Sequence, residues 1–239
     1  MADVVYSVVL PILIAAIVVS AVHPKLVKIA KLKNIVDNPN ARKLNKMPIP
    51  VLGGVGVFIG LMFSLSVAGY YIPEMSIRFE LIIAMLIMLY TGVGDDILNL
   101  SPRLRFGLQI FTVCLMMFLG GIYIDDFHGL WGIYKLPTVV AIALTLVSCV
   151  GIINSINLID GVDGLSSGFC MIASIAFGIL FYLIGNEVMM ALCAVVVASL
   201  LPFFLHNVFG KSSKMFIGDG GSLMMGVVMS SYVVEAIAY

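Results

Sequence analysis

The chain has 239 residues, of which 62% are hydrophobic and 11% are charged, and its formal net charge is zero. Soluble domains carry about 25% charged residues, so a water-soluble fold cannot hide this much apolar surface. The four cysteines lie inside apolar runs without metal or redox spacing, which excludes a disulfide framework. The composition predicts an all-α integral membrane protein with a single domain over residues 1–239.

Apolar runs long enough to cross a bilayer follow one another along the whole chain. A membrane helix needs about 20 apolar residues, with a range of about 17–25. The first run has no Lys or Arg before it and exceeds a signal-peptide core, so we interpret it as a retained span. The predicted spans are Val4–Val22, Ile49–Ile72, Phe79–Gly94, Phe106–Ile124, Leu136–Ile153, Leu165–Ile184, Val188–Leu205 and Leu223–Tyr239.

The basic residues are concentrated on one side of this arrangement. Of the 13 Lys and Arg residues only Arg78 and Lys135 lie on the other side, which leaves 11 on the first. By the positive-inside rule that first side is cytoplasmic, and an even number of spans then places both the N-terminus and the C-terminus outside. The predicted cytoplasmic loops are residues 23–48, 95–105, 154–164 and 206–222.

The second span contains closely spaced glycines. Gly54 and Gly56 followed by Gly60 have the wrong spacing for a dinucleotide-binding fingerprint, and no strand precedes them. Gly56 and Gly60 instead form a GxxxG pattern, which favours close approach of a neighbouring helix.

Three segments on the predicted cytoplasmic side are rich in aspartate. Each has an ordinary interpretation by itself, as an interfacial turn, as a glycine turn, or, for the neighbouring basic loop 23–48, as a topology signal that meets anionic lipid. Their convergence on one face of the membrane indicates a site. The segments are GVGDDILNLSPRLRF (Gly92–Phe106), INSINLIDGVDGL (Ile153–Leu165) and MFIGDGGSLMMG (Met215–Gly226).

The middle segment carries polar residues at every third position. On an ideal helix each step of three drifts by about 60°, so the first and last of these side chains would face apart. Gly161 and Gly164 predict a helix break between Asp160 and Asp163, which would turn several side chains toward one polar cavity.

The residue types in these segments favour phosphate and metal chemistry. Asp and Asn supply the few oxygen ligands that suit Mg²⁺, which keeps several waters and binds substrate phosphates as well. Glycines in GDGGS would let backbone N–H groups approach an anion, and nearby Lys and Arg would bind phosphate. We therefore expect a pyrophosphate-containing substrate with Mg²⁺, and Mn²⁺ is the alternative ion.

Four motifs together resemble the polyprenyl-phosphate N-acetylhexosamine-1-phosphate transferase family. They are DNPNARKLNKMPIPVLGG, GDDILNLSPRLRF, NSINLIDGVDGL and FIGDGGSLMMG, in the expected order over essentially the whole chain. The resemblance implies transfer of a sugar-1-phosphate from a UDP-sugar to a polyprenyl phosphate, with release of UMP. PIPVLGG (Pro48–Gly54) is closer to the branch that uses UDP-GlcNAc than to the phospho-muramoyl-pentapeptide branch.

The resemblance also implies roles for individual residues near the phosphates. Asn157 and Asp219 match the positions that hold Mg²⁺ on the pyrophosphate. Asp95 and Asp96 match an acidic pair near the lipid phosphate, of which one is often proposed as a base. Arg105 matches a basic residue that reaches phosphate.

Further matches concern the nucleotide and the first cytoplasmic motif. Asp163 and Phe216 match positions that recognise uracil and stack on it. Asp160 matches an additional acid that we place in the catalytic group without a defined duty. The residues that match the first motif are Asp37, Arg42 and Lys43.

The expected partners are a UDP-sugar, a polyprenyl phosphate and the lipid bilayer of a bacterial inner membrane; a homodimer is compatible with the sequence, and no nucleic acid is expected. One alternative is the phospho-muramoyl-pentapeptide transferase of the same family. A secondary transporter or proton channel would place carboxylates near the bilayer midplane and show related halves. A lipid-binding scaffold would need only the basic loops.

The resemblance departs from the family at the C-terminal end. Family members continue with two more helices and a loop rich in His and Arg, whereas this chain ends at Tyr239. We therefore expect a truncated form that binds Mg²⁺ and UMP weakly and transfers sugar phosphate slowly or not at all. Glu235 lies about 20 Å along the last span from Ser222, a depth that is costly unless the carboxylate is protonated, snorkels to the surface or finds a partner, which a further helix or outer loop could supply.

Overall fold

The structure is a computed structural model that describes residues 5–39, 47–72, 74, 78–121 and 123–239. In this part of the chain eight helices are long and apolar enough to cross a membrane, which confirms the predicted all-α polytopic architecture. A π-helical turn, Val5–Val9, leads into the first of them. The helices are α1 (Leu10–Leu32), α2 (Gly53–Tyr71), α3 (Phe79–Leu98), α4 (Pro102–Gly120), α5 (Thr138–Ile159), α6 (Leu165–Leu183), α7 (Glu187–Phe209) and α8 (Gly218–Ile237).

The helices extend past their predicted bounds at one end of the bundle. α3 continues four residues further to Leu98, α5 six residues further to Ile159, and α8 begins five residues earlier at Gly218. Hydropathy detects only the apolar part of a helix, whereas the backbone hydrogen bonds continue through polar residues. The acid-rich segments predicted as loops therefore lie largely on helix ends.

A short two-stranded ladder interrupts the helical architecture between α1 and α2. β1 (Val36–Asp37) pairs antiparallel with β2 (Ile49–Pro50), and Asp37 lies opposite Ile49. Strand β2 also contacts the segment before α8, because the Pro50 carbonyl accepts the Phe216 N–H at 2.8 Å. The ladder thus holds the first motif beside the start of α8.

Helix α8 occupies the centre of the bundle, in contact with α2, α3, α5 and α6. A Cβ on Gly92 of α3 would overlap the backbone of Gly220, and one on Gly54 of α2 would overlap Gly221. The glycines at the start of α8 therefore permit backbone-to-backbone packing on two neighbours.

The predicted GxxxG contact lies between α2 and α1, apart from the glycine contacts of α8. A Cβ on Gly60 would overlap Val19 of α1, and one on Gly56 would lie 3.1 Å from Leu26 of the same helix. The close approach that this pattern predicts is therefore confirmed between α2 and α1.

At the opposite end of α8, Glu235 forms an ion pair with Arg78, which precedes the first residue of α3. Glu80 lies 3.8 Å from the same guanidinium. Glu235 thus finds its partner in the segment before α3, on the predicted outer side, and a further helix is not needed to supply the counter-charge. Because α3 and α8 are antiparallel neighbours, the start of one helix meets the end of the other and supplies the counter-charge.

Candidate active site

Arg105 is at the centre of a cluster of polar side chains where four helices meet. It lies on the first turn of α4, which starts with Pro102 after the capping residue Ser101. Its Nη1 atom forms an ion pair with Asp95 and lies 3.4 Å from Asp219 Oδ2. Its Nη2 atom donates to Asn157 Oδ1 at 3.2 Å. One guanidinium thus faces oxygens from three other helices.

Asn157 connects α5 to the first turn of α8. Its amide nitrogen donates to Asp219 Oδ1 at 3.0 Å and to Ser222 Oγ at 2.9 Å, which directs its Oδ1 toward Arg105. The sequence prediction did not include Ser222. The signal was its spacing, because a residue three positions after Asp219 on a helix lies on the same face.

Asp96 points to a different group from its neighbour Asp95. Its Oδ2 accepts the backbone N–H of Asp219 at 3.1 Å, at the N-terminus of α8. GDGGS was predicted as an anion-binding loop, but it is the first turn of a helix, and the anion at its backbone N–H is this carboxylate. The two residues of the predicted acidic pair therefore have different partners: Asp95 pairs with Arg105, and Asp96 accepts the N–H at the start of α8.

We call Asp95, Asp96, Arg105, Asn157 and Asp219 the carboxylate cluster. Its three carboxylates exceed its one guanidinium, so it has an excess of negative charge. The Asp219 side chain is 34% exposed, whereas that of Asp95 is 9% exposed. Asp219 can therefore offer an oxygen to an approaching cation or substrate complex.

The donor set of the cluster fits a hard divalent cation. Oxygens of Asp95, Asp219 and Asn157 already converge on one cationic group, and carboxylate and amide oxygens are the ligands that Mg²⁺ takes. Within the described ranges no group of three or more His, Cys, Asp or Glu side chains is arranged to hold a metal. Oxygens of substrate phosphates and water would complete the coordination that Asn157 and Asp219 begin.

A second group of side chains lies on the loop before α8. Lys214 Nζ is 2.5 Å from Asp163 Oδ2 and 5.9 Å from the centre of the Phe216 ring. The structure therefore brings together both residues predicted to contact uracil, and adds Lys214 between them. Sequence reasoning counted Lys214 only as one of the basic loop residues.

Asn207 on α7 joins the two backbone segments that carry this group. Its side-chain oxygen accepts the Gly164 N–H at 2.7 Å, and its amide nitrogen donates to the Met215 carbonyl at 2.9 Å. Asp163 and Phe216 are the respective neighbours of these two residues. Asn207 was missed because a single asparagine near the end of an apolar run has no motif around it.

A pair of histidines supports the same loop from the other side. His23 Nε2 lies 2.8 Å from the Ser213 carbonyl, and His206 Nδ1 lies 2.9 Å from the Ser213 hydroxyl. The two rings stack with centres 4.3 Å apart. The loop that carries Lys214 and Phe216 is thus held by α1 and α7 together.

Asp160 lies at the predicted helix break. α5 ends at Ile159, and Gly164 with a φ of 71° precedes α6, so the chain does break between Asp160 and Asp163. Asp160 accepts a hydrogen bond from Ser166. Burial raises the pKa of Asp160 to about 7; the Ser166 hydrogen bond opposes this rise in pKa, while the charges of Asp219 and Asp163 add to it.

Two other predicted polar residues lie outside these groups. Asn154, the first of the polar residues that recur at every third position of the middle segment, forms a double amide contact with Gln109 of α4, at 2.7 and 3.3 Å, and so joins α4 to α5. Asp37 is on β1, which pairs with β2, and β2 in turn accepts a backbone hydrogen bond from Phe216. Arg42 and Lys43 lie outside the described residues.

The eight helices and the carboxylate cluster define a polytopic membrane protein with a group of acidic side chains around one arginine at one end of its bundle. The sequence profile of glycosyl transferase family 4 matches residues 78–237 of this chain. The chain belongs to that family, and the matched region contains every member of the cluster.

Curated relatives carry a common name, undecaprenyl-phosphate alpha-N-acetylglucosaminyl 1-phosphate transferase. The relative from Escherichia coli is 29% identical over 211 residues, which is 87% of this chain and 57% of that protein. The relative from Haemophilus influenzae is 32% identical over 199 residues, 80% of this chain and 54% of that protein. The chain thus spans a little over half the length of the curated relatives it matches.

Proposed function

We propose that this protein is a Mg²⁺-dependent phosphoglycosyl transferase that moves GlcNAc-1-phosphate from UDP-GlcNAc to undecaprenyl phosphate and releases UMP. The observation that carries the proposal is the carboxylate cluster, in which Arg105 faces Asp95, Asp219 and Asn157 at one end of a membrane bundle. Membership of glycosyl transferase family 4 and the name of the curated relatives support it.

The reaction joins two anions, so charge is the main problem that the site must solve. An oxygen of the lipid phosphate attacks the β-phosphorus of the UDP-sugar. The bond from that phosphorus to the oxygen bridging the two phosphates breaks, and UMP leaves with that oxygen and its electron pair. A lipid phosphate is already ionised near neutral pH, so no strong base is required.

Within this scheme Arg105 has the role of neutralising the attacking phosphate. Its guanidinium is fixed by three acceptors, and a planar, oriented cation is well suited to phosphate oxygens. Asn157 and Asp219 would hold the metal ion, which when bound stabilises negative charge on the pyrophosphate and on the leaving UMP. Asp95 holds Arg105, and Asp96 holds the start of α8.

The nucleotide is assigned to the second group of side chains. The Phe216 ring offers a stacking surface for uracil, and the Asp163 carboxylate offers an acceptor for its ring N–H. Lys214 can leave Asp163 and turn to the α-phosphate, since its ammonium group already lies 5.9 Å from the centre of the Phe216 ring. Asp37 with Arg42 and Lys43 is assigned to the substrate side of the first motif.

The topology follows from the charge distribution. With 11 of the 13 Lys and Arg residues at the end that carries the cluster, that end is assigned to the cytoplasm and both termini to the outside. UDP-sugars are polar and water-soluble, so a cytoplasmic opening gives them direct access. The proposed location is a bacterial inner membrane.

The test uses the chain in proteoliposomes with undecaprenyl phosphate and radiolabelled UDP-GlcNAc. Labelled lipid and released UMP are measured beside UMP binding by calorimetry, with and without EDTA. Asp219→Ala is expected to abolish Mg²⁺-dependent UMP binding and the slow transfer expected of the chain. Arg103→Ala is the matched control, because Arg103 is an exposed cation on the same helix turn as Arg105.

Each rival function has its own outcome in this assay. Lipid labelled only from UDP-MurNAc-pentapeptide would assign the chain to the other branch of the family. Substrate uptake into vesicles without any UMP release would support a transporter. Transfer or metal-dependent binding that survives Asp219→Ala and EDTA would contradict the proposed site.

A further inference from the structure

The segment between α4 and α5 folds into a hairpin at the end of the bundle opposite the carboxylate cluster. We call residues 123–137 the hairpin. The Leu136 N–H donates to the Asp125 carbonyl at 2.7 Å and the Phe127 N–H to the Tyr134 carbonyl at 3.2 Å, which sets an antiparallel register. Gly129, with a φ of 84°, forms the turn.

One side of the hairpin is fixed to the bundle. Ile124 is buried, and its N–H donates to Thr145 Oγ1 of α5 at 2.8 Å. His128 Nε2 lies 2.9 Å from the carbonyl of Ile237, the last residue of α8. Phe127 packs against the main core. The hairpin is therefore a rigid part of the fold.

These anchor points define the depth of the hairpin in the membrane. α8 has 20 residues, which corresponds to about 30 Å and matches the thickness of the hydrocarbon layer. Because Asp219 lies at one end of this helix, Ile237 lies at the other membrane boundary. Ile124 is deeper, since Thr145 is about 10 Å along α5 from its first residue.

The other side of the hairpin is apolar and faces away from the protein. Trp131 is 84% exposed and Tyr134 is 67% exposed. Leu130 and Ile133 lie beside them with 56% and 41% exposure. Four large exposed side chains within five residues form a patch that soluble surfaces avoid, and Trp and Tyr are the residues enriched at membrane boundaries.

We propose that the hairpin is a lipid-interface anchor whose partner is the headgroup layer of the membrane leaflet opposite the carboxylate cluster. Trp131 and Tyr134 lie at headgroup level with their rings among the upper acyl carbons, and Leu130 and Ile133 reach the same layer. Because His128 contacts the carbonyl of Ile237, the anchored hairpin also holds the end of α8 at this depth. The proposal does not depend on the identity of the reaction.

The protein contains a single tryptophan, so the test needs no labelling. The chain is reconstituted at low protein-to-lipid ratio in phosphatidylcholine vesicles whose acyl chains carry bromine either near the headgroup or near the chain end. Trp131 emission should be quenched roughly twofold more strongly by the shallow bromines than by the deep ones, as an interfacial ring requires. Iodide in the buffer should quench it weakly.

Two variants calibrate the measurement, both made with Trp131→Phe. Phe111→Trp on the exposed face of α4, about 14 Å along the helix from Pro102, gives a reference within the hydrocarbon, and Lys33→Trp after α1 gives a reference in water. If bromine and iodide quench Trp131 to the same extent as they quench the tryptophan of the Lys33→Trp variant, the proposal is overturned. Weak quenching by bromine and by iodide alike would also overturn it, because the patch would then be covered by protein, such as a second copy.

Discussion

Arg105 shows how a single side chain can organise a site built from four helices. Its guanidinium meets acceptors from α3, α5 and α8, and one of them, Asp95, has almost no exposure of its own. Removal of Arg105 would leave that carboxylate without a partner, so effects on folding and on catalysis must be separated by experiment.

Arg105→Ala is expected to lower kcat by about 10²-fold, as loss of a charge-stabilising donor does, and to impair use of the lipid phosphate. UMP affinity should change little. Arg105→Lys should recover only part of the rate, because lysine keeps the charge but loses the planar fork. Steady-state kinetics with the lipid phosphate varied, beside UMP calorimetry, measure both effects.

Asp163→Ala is the complementary variant of the same prediction. It removes a polar contact to the base, which costs about 1–3 kcal/mol of UDP-sugar binding, and should change kcat less. Asp125→Ala, an exposed acid at the opposite end, is the control. Identical defects of Arg105→Ala and Asp163→Ala toward both substrates would contradict the division of labour between the two groups.

Asp160 provides a pH-dependent prediction. Its pKa is raised from 3.8 to about 7, so the folded protein keeps a proton that the unfolded chain loses at lower pH. Stability relative to Asp160→Asn should therefore fall as pH rises from 3.8 to about 7 and should stay constant above that pKa. Thermal unfolding in detergent with EDTA, measured for both proteins, tests this sign, and a stability difference that rises with pH would contradict it.

At the residue scale, the sequence predicted types of side chain better than their partners. Asn157, Asp219 and Arg105 were selected by motif and do lie together. The family resemblance paired Asp96 with Asp95, yet successive residues on a helix point about 100° apart, so Asp96 meets the start of α8 instead. Partners such as Ser222 and Asn207 depend on which helices are neighbours, and no local pattern contains that information.

At the scale of single helices, the apolar runs predicted every span that the structure describes, but not the helix ends. The predicted ends stopped at the first polar residues because those residues cannot lie in lipid. A helix backbone, however, satisfies its own hydrogen bonds and can continue past the membrane boundary into water. The side chains of the carboxylate cluster are consequently on helix turns, whereas Asp163, Lys214 and Phe216 are on loops.

Glycine contacts between helices give a prediction at this scale. A methyl group on Gly92 would overlap the backbone at Gly220 and push α3 away from α8, so Gly92→Ala should strongly destabilise the protein. Gly151→Ala is the control, because nothing lies within 4 Å of a Cβ at that helical position. It should leave the melting temperature unchanged or slightly higher.

Both variants are compared by thermal unfolding in detergent, monitored by size exclusion. Equal melting temperatures for Gly92→Ala and Gly151→Ala would show that α3 and α8 do not meet through their backbones.

For the whole molecule, the antiparallel pair α3 and α8 connects the two membrane faces. It carries Asp95, Asp96 and Asp219 at one end and the Arg78–Glu235 ion pair at the other. Sequence reasoning located Glu235 as a costly group but could not find its partner, because the two residues are far apart in the chain and only helix packing joins them.

Arg78→Met should destabilise the protein by about 3–5 kcal/mol, since it leaves a buried carboxylate unpaired. Arg78→Met combined with Glu235→Gln should recover much of this loss. Lys28→Met, an exposed cation on α1, is the control. Urea or thermal unfolding of the wild type, Arg78→Met, Glu235→Gln, the double variant and Lys28→Met forms the comparison, and additive effects of the two substitutions would contradict a direct pair.

The central position of α8 also has a consequence for biogenesis. Of the eight candidate spans it has the lowest mean hydropathy, and 83% of its most apolar stretch is buried in protein. A segment of such low hydropathy partitions poorly into lipid alone, so its stability in the membrane depends on packing against α2, α3, α5 and α6. Because α8 carries Asp219, a nascent chain that has not reached α8 has no assembled cluster.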